Sequence, residues 1–202
     1  MTIPSSVKSI GKEAFYGNKD LIKINISDIL AWCNIKFSDI AANPLFCGGH
    51  LYLNGEEITN LVIPNCVTSI GNYAFGGYSD LTSVVIPNSV TSIGYGAFID
   101  CSGLTRVYSL NFTPPNTESY PFNNNVYQDA TLYVPKEALT AYKNADSWKK
   151  FQNIKGFDPT GINGIEADGN GKRNVYYDLN GHRLSAPKKG LNIINGKKVI
   201  VK

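Results

Sequence analysis

Histidine is nearly missing from this chain, two among 202 residues, and methionine occurs once. Charged residues amount to 17%, below the quarter usual in soluble domains. No apolar run reaches the ~18 residues that a bilayer-spanning helix needs, and no charged-then-apolar leader opens the sequence. The four cysteines, Cys33, Cys47, Cys66 and Cys101, include no C-x-x-C pair. A glycine-rich phosphate loop and a Gly-x-Ser-x-Gly elbow are both lacking. Asp168-Gly169-Asn170-Gly171 echoes a calcium loop but lacks the spaced carboxylates and closing glutamate, so it reads as a hairpin turn. Glu56-Glu57 are adjacent strand positions that point to opposite faces, which argues against joint acid/base work.

The sequence thus assigns no catalytic residue, no metal ligand and no cofactor. His50 and His182 have no carboxylate or cysteine at ligand spacing, so a metal site would need residues distant in sequence. Cys47 and His50, three positions apart, leave a thiol nucleophile as a remote alternative, with no Asn/Asp orienter evident. A Cys33–Cys47 disulfide is open in an exported protein, beside free and mostly inert thiols. The formal charge is +3; residues 161–202 carry eight Lys/Arg against three Asp/Glu, a net +5, which leaves −2 for residues 1–160. Without a dense cluster or interleaved stacking aromatics, that basic tail reads as a solvated strand edge and not as a nucleic-acid site.

What is abundant is turn and strand chemistry, with 19 glycines and 12 tyrosines, and above all repetition. Ile86-Pro87-Asn88-Ser89-Val90-Thr91-Ser92-Ile93-Gly94-Tyr95-Gly96-Ala97-Phe98 repeats, 23 residues on, what begins at Ile63-Pro64, and the same phrase starts at Ile3-Pro4. Val (7, 67, 90), Ile (10, 70, 93), Gly (11, 71, 94), Ala-Phe (14–15, 74–75, 97–98), Leu (21, 81, 104) and Ile/Val (24, 84, 107) recur in phase. One such unit cannot bury its apolar face alone, so copies must stack. Leu81–Ile86 reads as a short strand with Val84 and Ile86 inward and Ser83 and Val85 outward, ended by Pro87. Gly71 and Gly94 mark corners that need positive φ or close backbone approach. Phe75 and Phe98 are core fillers. Cys101 stands where other copies have Asn18 and Tyr78, a partly buried position. Met1-Thr2-Ile3-Pro4 enters the repeat without the preceding segment of a period, which implies a leader and further repeats upstream in the full protein.

Ile63 comes 37 positions after Ile26, one period plus fourteen. Ser27–Cys33 reads as a helix start with Ser27 or Asp28 as N-cap. Leu51–Ile58 reads as a hairpin around Asn54-Gly55. Residues 27–62 are therefore an enlarged coil and not a domain break. The array closes after residue 108: position 109 is serine where isoleucine is due, and a polar loop runs from Thr113 to about Asp129. Thr131–Pro135 is one last strand. An amphipathic helix follows, with Leu139, Tyr142, Ala145, Trp148 and Phe151 on its apolar side and lysines 136, 143, 149 and 150 exposed. The composition changes at Asp158–Gly164. Beyond it, Val175–Leu179, Gly190–Ile194 and Val199–Val201 read as three strands joined at Asn180-Gly181 and Asn195-Gly196.

The pattern L-x-x-V-x-I-P-x-x-V-x-x-I-G-x-x-A-F resembles the BspA-like class of leucine-rich repeats of surface proteins from oral and gut anaerobic bacteria. The match covers residues 3–26 and 58–108 in three in-phase copies. Leu132-Tyr133-Val134-Pro135-Lys136 with Ala141–Ala145 and Trp148 resembles the end cap of such arrays. The ending Tyr177–Leu184 with Lys189–Lys202 resembles C-terminal modules of exported Bacteroidetes-type proteins, some of which are sorting signals. The resemblance implies a β-rich leucine-rich-repeat solenoid over residues 1–157, one short strand ladder per coil, capped by 113–157 and followed by a small antiparallel β module over 158–202. It implies a secreted or surface adhesion protein with a protein or glycan ligand; a structural spacer is the alternative. The outward strand positions Lys23 and Asn25, Asn60 and Val62, Ser83 and Val85, Arg106 and Tyr108 are the candidate contact strip, with Arg106 and Tyr108 the types favoured at hot spots.

Overall fold

The computed structural model describes residues 1–157 and, beyond them, the strands Tyr176–Tyr177, Arg183–Leu184, Gly190–Ile194 and Lys197–Val201. The fold of residues 1–157 is β-rich, with short helices and parallel sheets. Each regular repeat supplies two strands, not one. The first is the β-branched run ahead of the proline, as in Ser83–Ile86; the second is the two-residue strand after it, as in Ser92–Ile93. The longer strands form a five-stranded parallel sheet in the order Asn153–Phe157, Thr131–Pro135, Arg106–Ser109, Ser83–Ile86, Asn60–Val62. Its rungs keep one depth: Leu61, Val84, Val107, Leu132 and Ile154 stand in register, and the first four are almost wholly buried. The short strands Ser69–Ile70, Ser92–Ile93 and Asn116–Thr117 make a second parallel ladder.

Between the ladders the core is stacked aromatic. Phe75, Phe98 and Phe122 lie face to face, centroids 5.4 and 5.3 Å apart, and are at most 1% exposed. Threonines add a polar seam one repeat apart: the Thr82 hydroxyl donates to the Thr59 carbonyl and Thr105 to that of Thr82. Each corner holds one left-handed residue at the same offset, Glu13, Tyr73, Gly96 and Tyr120 (φ 54 to 58°), which the sequence conceals because glycine occupies it once.

The invariant-looking corner glycines work by close approach, not by positive φ. A Cβ on Gly94 would sit 2.7 Å from the Asn72 nitrogen, and one on Gly71 2.7 Å from the Cys33 carbonyl oxygen, whereas Gly11 meets nothing within 4 Å. Gly94→Ala is expected to cost about 2–3 kcal/mol through overpacking. Gly11→Ala should be neutral or stabilising by up to about 1 kcal/mol through unfolded-state entropy. Urea unfolding of both variants checks this; equal losses would refute close approach as the reason.

The array runs on past residue 108. The expected loop from Thr113 contains Asn116–Thr117 of the second ladder, places Phe122 in the aromatic stack, and ends in the helix Asn124–Asp129 with Asn123 as N-cap. Thr117 pairs with Ile93, and Phe122 follows it at the spacing by which Phe98 follows Ile93, so 110–122 is a repeat that has lost its signature residues. Thr131–Pro135 is not the last strand, because Asn153–Phe157 adds beside it. The expected helix is broken into Lys136–Ala138 (3-10), Leu139–Asn144 (α) and Trp148–Lys150 (3-10). Its apolar side is as expected: Tyr142, Trp148 and Phe151 are buried, Leu139 and Ala145 half-buried, and the four lysines exposed. Serine at 109 has a purpose, since its hydroxyl lies 2.6 Å from the buried Tyr142 hydroxyl, where isoleucine would leave that phenol without a partner.

The irregular segment 27–62 opens with the helix Ile29–Cys33, capped by Asp28, whose Oδ1 accepts from the Leu30 nitrogen at 2.8 Å. Leu53 pairs with Ile26, so this repeat is 27 positions long, four above the regular period. The remaining excess is the hairpin of His50–Leu53 with Glu56–Glu57, turned through Asn54 (φ 52°) and Gly55 (φ 89°). Both ladders break here: Lys23–Ile26 joins the hairpin in its own three-stranded sheet, and Ser9–Ile10 pairs with Lys36–Phe37 alone. The core does not break. Side chains cross the gap. The Trp32 indole donates to the Ala74 carbonyl (2.7 Å), the fully buried Asn43 amide donates to those of Tyr73 and Ala74, and the Tyr78 hydroxyl accepts from the Leu51 nitrogen.

The C-terminal strands form an antiparallel sheet in the order Arg183–Leu184, Tyr176–Tyr177, Gly190–Ile194, Lys197–Val201. Arg183–Leu184 adds a fourth strand to the three expected. The composition boundary at Asp158–Gly164, the loop Asp168–Gly171, the dipeptides Asn180-Gly181 and Asn195-Gly196, and His182 lie outside the described residues.

Candidate binding surface

Period-2 alternation sends every second residue of the five-stranded sheet to its outer face. Register aligns these residues in two rows. One is Asn60, Ser83, Arg106, Thr131 and Asn153; the other is Val62, Val85, Tyr108, Tyr133 and Lys155. Tyr108 and Tyr133 are half-buried and stack at 4.7 Å with rings 13° from parallel, giving a flat aromatic platform beside Arg106.

Not every expected contact residue is available. Ser83 is 2% exposed, and its hydroxyl donates to Asn60 Oδ1 at 2.7 Å. Val85 is also buried. The reason is register: Ser83 lies between the longer Asn60 and Arg106, and Val85 between Val62 and the ring of Tyr108. Asn60 is exposed, but its amide oxygen also accepts from the Thr82 hydroxyl. Lys23 and Asn25 lie on the other sheet, in register with His50 and Tyr52, and do not extend this strip. The Lys23 ammonium sits 4.2 Å from the Tyr52 ring centre, and the Asn25 amide donates to the Met1 carbonyl. Thr131, Tyr133, Asn153 and Lys155 were not anticipated. Tyr133 was findable, since Tyr-Val-Pro at 133–135 has the phase of Tyr108; Asn153–Phe157 carries no Ile-Pro or Ile-Gly signal.

The thiol alternative gains no support in its geometry. The Cys47 thiol donates to the Phe15 carbonyl at 2.8 Å, while His50 Nδ1 faces Glu57 and Asp80. All four cysteines are free thiols. Burial pushes the Cys33 and Cys101 thiols well up, away from the reactive thiolate, and Cys101 is wholly buried, not partly. Burial likewise raises the Tyr78 and Tyr142 phenols. His50, which has no carboxylate or cysteine at ligand spacing, meets two carboxylates from further along the chain: Nδ1 is 2.8 Å from Glu57 Oε1 and 2.7 Å from Asp80 Oδ2.

Parallel strands in step, an in-phase aromatic core and one corner geometry per unit define a β-rich repeat protein. The chain belongs to the BspA type leucine-rich repeat family, which matches in six copies over residues 1–39 and 48–154. The unmatched interval contains the 3-10 turns Ile40–Ala42 and Pro44–Cys47 of the irregular repeat. No curated protein matches the chain. Among the described residues, no helix is long and apolar enough to cross a membrane.

Proposed function

We propose that this chain is a non-enzymatic binding module of an exported or cell-surface protein, presenting the outer face of its five-stranded sheet to a protein or glycan. In this reading residues 1–157 form one leucine-rich-repeat solenoid, with the segment that follows the 110–122 repeat as its C-terminal cap, and residues 158–202 a separate β module used in sorting. The supporting observation is the Tyr108–Tyr133 platform beside Arg106. Aromatic faces stack on sugar rings and anchor protein contacts, and tyrosine and arginine dominate interface hot spots.

A glycan and protein array probed with the full chain would supply the ligand. Tyr108→Ala with Tyr133→Ala is then expected to weaken binding about thirtyfold, some 2 kcal/mol. Ser83→Ala, buried in the same face, should leave affinity unchanged. Undiminished binding by the double variant would remove the platform from the proposal. Surface display that persists without residues 162–202 would remove the sorting role.

A further inference from the structure

Three side chains with metal-ligating atoms converge where both ladders break. His50 and Glu57 come from the two strands of the hairpin, and Asp80 from the turn ahead of Ser83–Ile86. Their ligand atoms all lie within 4.8 Å of one another. The side chains are 36%, 33% and 42% exposed, open enough for an ion to enter and covered enough to hold their orientation. Glu57 is further fixed through its second oxygen, to which the Tyr52 hydroxyl donates at 3.3 Å.

We propose that His50, Glu57 and Asp80 bind a divalent transition metal of the zinc class, which clamps the hairpin to the repeat that begins at Ile63. One imidazole nitrogen with two carboxylates is a mixed N/O donor set that suits zinc-like ions better than magnesium or calcium, which take oxygen alone. Two carboxylates and a neutral imidazole carry −2, which one such ion neutralises. The present N···O separations of 2.7 and 2.8 Å are hydrogen-bond lengths. Tetrahedral bonds of about 2.0–2.1 Å place ligand atoms about 3.3 Å apart, so the side chains must open by roughly half an ångström. Their exposure permits that, and water completes the fourth position.

The test is titration of the chelator-stripped full chain with zinc chloride, in a background where Cys47 and Cys66, the two thiols that reach solvent, are changed to serine. One equivalent of zinc should bind and raise Tm. His50→Ala should abolish that binding and the Tm rise, and Glu57→Gln and Asp80→Asn should each weaken it at least tenfold. His182→Ala should change nothing. Absence of saturable zinc binding, survival of the site in His50→Ala, its loss in His182→Ala, or equal affinity for magnesium or calcium would each overturn the proposal. Circular dichroism of the variants confirms that they fold.

Discussion

Phe98→Ala should lower the stability of the chain by about 3–5 kcal/mol, the range for deleting a fully buried phenylalanine. Phe98 is the middle ring of a three-ring stack and has 0% exposure. Its removal takes contact from Phe75 and Phe122 together, and neither neighbour can collapse into the void, because each is held at its own rung by backbone hydrogen bonds. The Phe98 nitrogen donates to the Pro121 carbonyl and the Phe75 nitrogen to that of Ala97. The informative control is Phe15→Ala. Phe15 is the same residue of the same repeat phrase but only half-buried, outside the stack. It should cost clearly less, about 1–2 kcal/mol, the transfer term alone. Urea midpoints for the two variants give the comparison; equal costs would mean that the repeat phrase, not its stacking, sets the energy.

The second large effect is expected at Asn43. This side chain has 0% exposure and makes three hydrogen bonds: Nδ2 donates to the Tyr73 and Ala74 carbonyls (2.7 and 3.1 Å), and Oδ1 accepts from the Leu45 nitrogen (3.0 Å). Asn43→Ala leaves buried carbonyls and an amide without these partners, a loss of about 2–4 kcal/mol. Asn43→Asp makes the sign of a pH effect visible. A carboxylate there would keep the Leu45 bond but face two carbonyl oxygens, so the folded state favours the protonated acid and its pKa rises above the unfolded ~3.9. Stability of that variant is then fully present below pH ~4 and lost as pH rises through the folded value. Thermal unfolding at pH 4 and pH 7 should show the acid condition as the more stable for Asn43→Asp, relative to the parent chain at each pH. An unchanged difference would refute the hydrogen-bond account.

The regular repeats were legible because every buried position is set by the same neighbours above and below, so Val84 and Val107 are the same residue for the same reason. The second ladder was not. Two-residue strands such as Ser92–Ile93 are too short for alternation to register. Residues 113–122 were misread as loop because Ser109-Leu110 stands where Ile-Pro is due and Pro121 where alanine is, although Phe122 kept its place in the stack. On the candidate surface, Arg106 and Tyr108 are the two half-buried positions of their strand, alternating with the buried Val107 and Ser109. Burial of Ser83 depends on the lengths of residues one repeat away, which strand alternation does not encode. The company of His50 was hidden most deeply, since Asp80 is thirty positions off and meets it only because the hairpin shortens the path.

The break in both ladders has a mechanical meaning. Parallel strands in register resist being pulled apart along the stacking direction only by as many backbone bonds as each rung holds. At the junction of the irregular repeat with the one that begins at Ile63, that duty falls chiefly on Trp32, Asn43, Tyr78 and the His50–Asp80 contact, with the Gly71 nitrogen reaching the Cys33 carbonyl. Tension applied between the two ends of residues 1–157 would open the molecule there first, as two intact pieces. The force at which it yields can be set by single side-chain changes, without altering a strand.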